Sequence, residues 1–189
     1  MNAITLLQDT PRHKLTLDDV RQMMESGVLD RTCKYELIDG AVFDVPAENP
    51  PHIDAKSEII AHLVRSLPAE YFVAADSTLR LSPSDAPSPD AYVFPARIET
   101  ADLRPGQVNL VIEVADTTLG DDLGVKADLY ARHGVQEYWV VDIARRVILV
   151  HRERAGERWA APREIGADET ARCASIRELT LRLADLKRV

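Results

Sequence analysis

The stretch Val108-Asn109-Leu110-Val111-Ile112-Glu113-Val114 is the most strand-like run in the chain. Apolar residues fill it almost without a break, the pattern of a central strand buried on both faces rather than a half-solvated one. Glu113 is the anomaly. An ionised carboxylate left buried and unpaired is costly, so it needs a cation, a set of hydrogen-bond donors or a raised pKa.

Working outward, the Ser- and Pro-rich loop LSPSDAPSPD (residues 81–90) ends in Asp90. It opens onto the compact apolar strand Ala91-Tyr92-Val93-Phe94, stopped by Pro95. Asp90 precedes Glu113 by 23 residues, enough for a turn and a return to the sheet. On the other side, residues 122–133 (DLGVKADLYARH) fit a helix closed by Gly134, which can bring Asp122 and Lys126 back over the strand end. EYWVVD (137–142) and RRVILVHR (145–152) then predict a hairpin. Tyr138 and Trp139 alternate within it, so their rings point to opposite faces and read as core or dimer surface rather than as base-stacking groups.

The flanks complete the plan. Residues 16–26 (TLDDVRQMMES) predict a helix, with Thr16 as its cap and Gly27 as its stop. KYELIDGAVFDV (34–45) predicts a hairpin turning at Asp39-Gly40. Pro50 and Pro51 read as a break before a second helix over about 52–67, where Ile59, Ile60, Leu63, Val64 and Leu67 recur at helical spacing. Tyr71–Ala75 and Thr78–Leu81 are short β-prone runs. Trp159 lies in a further short strand, and LTLRLADL (179–186) alternates as an edge strand. The sum is an α/β (α+β) chain: a mixed sheet with flanking helices.

At 189 residues the chain fits one domain, 1–189, with no repeat or linker to divide it. Hydrophobic residues make up 46% and charged residues 29%, an ordinary globular balance. Cys33 and Cys173 match no metal-ligand spacing and read as free thiols. No apolar run approaches the roughly 20 residues of a membrane span, and MNAITLLQDTPRHK does not read as a secretory signal. A cytoplasmic location is the resulting expectation. The formal net charge of −8 weighs against unassisted binding of polyanions.

Two carboxylates converging at a sheet end beside a backbone carbonyl make a hard oxygen site for Mg²⁺ or Mn²⁺. Asp90, Glu113 and the Val114 carbonyl are the candidate ligands, and Lys126 a candidate to orient water and offset phosphoryl charge. Taken singly, Asp90 also fits a strand-start turn, Glu113 a partner for a buried arginine, and Lys126 a solvated helix face. His52, Glu58 and Asp122 are additional candidates.

Ser88-Pro89-Asp90, Val-Ile-Glu-Val, Asp122-Leu-Gly-Val-Lys126, Tyr130-Ala131, Gly134-Val135 and Glu137-Tyr-Trp-Val-Val-Asp142 together resemble the Uma-type family of restriction-endonuclease-like proteins, within the PD-(D/E)XK nuclease superfamily. Tyr35-Glu36-Leu37-Ile38-Asp39-Gly40 and His52 resemble the family's N-terminal signature, so the likeness spans about residues 16–187. It implies a restriction endonuclease-like mixed central sheet flanked by helices, with additional N-terminal and C-terminal β-strands. It also implies metal held by Asp90 and Glu113. The superfamily's usual lysine position is Ala115 here, and the resemblance carries that role to Lys126. Glu58 matches the helical acid that superfamily members often add to the metal site. Asp116 departs from the Ser-rich segment common in the family and bears on substrate contacts.

The function these readings imply is a metal-dependent endonuclease acting on phosphodiester bonds in nucleic acid, DNA first. A homodimer would give one site per strand of a duplex. The competing reading is a nuclease-fold binding or regulatory module without cleavage, motivated by the acidic charge. Arg145-Arg146 and the Arg152–Arg158 region, with Glu153 and Glu157 interspersed, are the only local basic clusters.

Overall fold

The structure, a computed structural model, describes residues 12–116 and 119–189. Most of the N-terminal stretch, and the Thr117-Thr118 pair, lie outside the described residues.

Helix α1 (Leu17–Glu25) starts in a capping box: the Thr16 hydroxyl accepts from the Asp19 amide, and the Asp19 carboxylate accepts from the Thr16 amide. Gly27, at φ 79°, lies just beyond its end, as expected. Strands β1 (Tyr35–Ile38) and β2 (Ala41–Asp44) form the expected hairpin, turning on Asp39 and Gly40 at φ 52° and 75°. Two successive positive φ values suit an Asp-Gly turn. At Gly40 any Cβ would also collide with Lys14.

Helix α2 (Pro50–Ser66) begins on the two prolines that the sequence suggested would break the chain. Asn49 caps it, accepting from the His52 amide at 3.0 Å. Pro50 and Pro51 fill first-turn positions, where a missing N–H leaves no helical bond unmade.

Strands β3 (Tyr71–Ala75), β4 (Ala91–Pro95) and β5 (Leu110–Ala115) follow. In place of one helix over 122–133 come α3 (Leu119–Asp121), a π-helical turn (Asp122–Lys126) and α4 (Ala127–Arg132). The expected hairpin is β6 (Tyr138–Asp142) with β7 (Val147–His151). Then come β8 (Arg154–Ala155), β9 (Arg158–Trp159), β10 (Arg163–Gly166), β11 (Ala171–Arg172) and β12 (Thr180–Leu181).

The main sheet runs β10-β7-β6-β5-β4-β3. Only β5 and β6 pair in parallel, so the sheet is mixed, as expected, with β5 buried near its centre. Two expected strands are absent as such. Thr78–Leu81 forms no regular ladder; the Leu79 and Leu81 amides donate to the Pro87 and Asp85 carbonyls instead. In LTLRLADL only Thr180–Leu181 pairs, with β11, and a 3₁₀ turn (Leu183–Asp185) follows. Its alternation records leucines entering the core, while β10 takes the sheet edge.

Strand parity divides the core. Leu110, Ile112 and Val114 of β5 face one layer, with Ala91, Val93, Trp139 and α2's Ala55, Ile59 and Leu63. Val111 and Ala115 face the other, with Tyr92, Phe94, Tyr138 and α4's Leu129 and Tyr130. Trp139 and Tyr138 thus enter opposite layers, as their alternation requires. Among the described residues no helix is long and apolar enough to cross a membrane. Cys33 and Cys173 are free thiols.

His151, buried at the end of β7, lies between the rings of Tyr138 and Trp159, at 5.5 and 6.2 Å. Burial holds its pKa below the usual histidine value of 6.5. The fold therefore favours the neutral ring, and its stabilising contribution is present above pH 6.5 and lost as pH falls. His151→Phe is expected to flatten that acid dependence, read from urea midpoints at pH 7.5 and 5.

Candidate active site

Asp90 and Glu113 meet by parity and by register. Asp90 stands two residues before Tyr92, and Glu113 two after Val111, so both point to the layer that holds α4. The β4–β5 ladder sets Ala91 opposite Ile112 and Tyr92 opposite Val111; one further step sets Asp90 opposite Glu113. Side chains so opposed have Cβ atoms about 5 Å apart. At this point the ladder gives way to side chains: Asp90 Oδ2 accepts from the Val114 amide at 2.7 Å. Both residues line a cleft of ≈ 370 Å³, with Glu36, Glu48, His52, Asp122 and Lys126 around them.

Glu113 is 3% exposed. Its Oε1 accepts from the Tyr130 hydroxyl at 2.9 Å and lies 3.2 Å from Lys126 Nζ. Lys126 and Tyr130 are four residues apart, so one helical face presents both to the carboxylate. The π turn carries Lys126 at its end, and such bulges recur at functional sites. Lys126 Nζ also lies 3.5 Å from Glu36 and 3.6 Å from Asp122. One ammonium thus serves three carboxylates. Burial opposes the Lys126 charge, but Glu113, Glu36 and Asp122 outweigh it and hold the amine firmly protonated. Burial pushes Glu113 up to about 8, against the pull of Lys126 and with the push of Asp90, Asp122 and Glu36.

Around Asp90 the balance differs. Burial would raise its pKa, yet His52 and the Val114 amide hold it below the usual range. His52 Nε2 lies 3.4 Å from Asp90 Oδ2, and Nδ1 lies 3.5 Å from Glu48 Oε2. Lys56, one turn along α2, donates to both Glu48 oxygens at 2.6 Å and to Asp76 Oδ1 at 2.8 Å. Glu48, His52 and Asp90 offer ligand atoms within 4.8 Å of one another, a group able to hold a metal ion.

Of the residues singled out from sequence, Asp90, Glu113, Val114, Lys126, His52 and Asp122 line this one cleft. Glu58 does not. It follows His52 by six residues on α2, about 240° around the helix, whereas Lys56, one turn from His52, shares its face. Asp116 also lines the cleft, and its carboxylate accepts from Asn49 Nδ2 at 2.6 Å, tying the end of β5 to the cap of α2. Glu36, Glu48, Lys56 and Tyr130 were not read as site residues. Tyr130 had a signal, its helical spacing from Lys126. Glu36, Glu48 and Lys56 find their partners only through the tertiary fold.

The model of the Uma2 family, described as "putative restriction endonuclease", matches residues 17–184, nearly the whole chain. The chain belongs to the Uma2 family. Among solved structures, a nuclease of the DUF820 group from Anabaena variabilis, described as putative, superposes on this Uma2 chain with a TM-score of 0.67. It is 19% identical, and the match covers 91% of this chain and 97% of that one. Likeness at that identity speaks for the shared fold. The type IIG restriction endonuclease BpuSI matches at TM-score 0.37 and 16% identity, over 55% of this chain and 11% of its own. No curated protein matches.

Proposed function

We propose that this Uma2 chain is a divalent-metal-dependent endonuclease that hydrolyses phosphodiester bonds in nucleic acid, DNA being the first substrate to test. One observation carries the proposal: Asp90 and Glu113 converge on one sheet face in an open cleft, with Lys126 Nζ 3.2 Å from Glu113.

The donor set fits a hard cation. Glu113 is buried and raised in pKa by that burial, and Lys126 beside it also faces Glu36 and Asp122, so a bound divalent ion would add positive charge where burial opposes ionisation of Glu113. Asp90, Glu113 and the Val114 carbonyl would hold Mg²⁺ or Mn²⁺. When bound, such an ion polarises a phosphoryl oxygen and lowers the pKa of water, supplying the nucleophile near neutral pH.

The chain's own groups do the rest. Lys126 is held protonated, so it acts as a donor that orients water and faces phosphoryl charge, not as a base. The Val114 amide fixes one Asp90 oxygen, and Tyr130 fixes one Glu113 oxygen, which preorganises both carboxylates.

The basic clusters read from the sequence offer little electrostatic draw. Arg145 pairs with Glu164, Arg152 with Glu137 and Arg158 with Asp128, while Arg154 donates to the Ala131 and Val135 carbonyls. With a net charge of −8, the chain depends on bound divalent ions to draw a polyanion into the cleft. A homodimer fits cleavage of both strands of a duplex.

Plasmid DNA incubated with the protein and Mg²⁺ or Mn²⁺ is expected to be nicked or linearised. Chelation with EDTA stops the reaction, and Asp90→Ala and Glu113→Ala are silent. Cleavage that survives both substitutions would overturn the proposal, and a folded wild-type chain that never cleaves would favour the binding-module reading.

A further inference from the structure

Lys56, behind the cleft residues Glu48 and Asp90, is a buried charge that the proposed chemistry leaves without a role. It is 7% exposed. Its ammonium meets Glu48 Oε1 and Oε2 at 2.6 Å each and Asp76 Oδ1 at 2.8 Å, with Asp90 Oδ1 at 3.9 Å. Three N–H donors thus meet three close acceptors, the full capacity of an ammonium.

Two of these carboxylates, Glu48 and Asp90, join His52 in the only group of three among the described residues whose ligand atoms stand within 4.8 Å of one another. An octahedral ion with bonds of about 2.1 Å separates its ligands by about 3 to 4 Å, so this group is near the spacing an ion would impose. Glu48, however, already has both oxygens on Lys56, and Asp90 faces Lys56 with the oxygen turned away from His52. A divalent ion on Glu48 would lie within a few ångströms of a fixed positive charge in a partly buried site, where such repulsion is screened only weakly.

We propose that Lys56 is a resident cation occupying the place of a second divalent ion, so that the cleft takes one metal ion, at Asp90 and Glu113, rather than two. The first ion rests on the functional reading above; the exclusion of the second rests on Lys56 alone. Lys56 is accordingly a positioning residue. It fixes Glu48 and Asp76 and keeps the His52 side of Asp90 free of metal.

The experiment counts Mn²⁺ bound per chain, from the electron paramagnetic resonance signal of the free ion during titration, with circular dichroism to confirm folding. Lys56→Met is expected to bind one more ion than the parent, and Glu48→Gln added to Lys56→Met removes that extra ion. In the parental background, Glu48→Gln leaves the count unchanged. The quantity read is a difference between chains. A parent that binds no ion would therefore sink the Asp90–Glu113 reading and leave the Lys56 comparison intact. The proposal is overturned if Lys56→Met binds no more Mn²⁺ than the parent, or if Glu48→Gln alone costs the parent an ion. Should Lys56→Met fail to fold, the Glu48→Gln comparison decides the matter in the native background.

Discussion

Asp90→Asn lowers divalent-ion-dependent cleavage by about 10²–10³-fold, the cost of removing one preorganised electrostatic group, while the protein stays folded. The substitution keeps volume and shape, and its amide oxygen still accepts from the Val114 amide, so the end of the β4–β5 ladder survives. Lys56 keeps its three closest acceptors on Glu48 and Asp76. What disappears is the negative charge facing Glu113. Initial rates of plasmid cleavage at saturating Mn²⁺, read beside a thermal melt, check this outcome. A rate within about threefold of wild type would remove Asp90 from the metal-holding role. Asp90 is a cleaner test than Glu113, because Glu113→Gln also disturbs the contacts to Tyr130 and Lys126 inside the core.

The sequence made the sheet legible because the sheet is written in local patterns. A near-continuous apolar run placed β5 at the centre, Asp39-Gly40 fixed a turn, and Tyr138 and Trp139 parted to opposite faces by parity alone. The carboxylate in β5 was legible for a related reason: one charge in an apolar strand breaks the pattern. The failures have equally local causes. Pro50 and Pro51 are both breakers and good helix openers, and only the Asn49 cap decides between these roles. Alternation in LTLRLADL reports which side chains are buried, and burial does not require ladder partners. The acidic and basic groups that complete the cleft were not legible, since Glu36 meets Lys126 and Lys56 meets Asp76 across long stretches of chain. Glu58 is the converse case. Chemical type and rough position suggested a ligand, but helix phase turned it from the face that carries His52 and Lys56.

Lys126→Met is expected to destabilise the fold by about 1–3 kcal/mol at pH 8.5, less than the usual penalty for removing one partner of a buried ion pair, because Glu113 takes up a proton in the variant. For a chain of this size that lowers the melting temperature by roughly 5 °C. The loss falls on the residue least able to reach water: Glu113 is 3% exposed, and its remaining direct donor is the Tyr130 hydroxyl. The size of the effect depends on pH, and its sign follows from the direction of the shift. Glu113 is raised from 4.5 to about 8 in the fold, so its stabilising contribution is present below pH 4.5 and lost as pH rises through 8. At the acid end Glu113 carries a proton and has no charge for Lys126 to offset; at the alkaline end it is ionised and depends on the ammonium. Removing Lys126 removes the main influence holding the Glu113 pKa down, which extends the range over which the folded variant keeps Glu113 neutral. Urea unfolding of wild type and variant at pH 5 and pH 8.5 therefore gives a smaller difference at pH 5. Equal differences at both values would mean that Lys126 does not stabilise the charge on Glu113. The same ammonium would then have no claim to govern charge at the reacting phosphate, because both roles draw on one electrostatic arrangement at the end of β5.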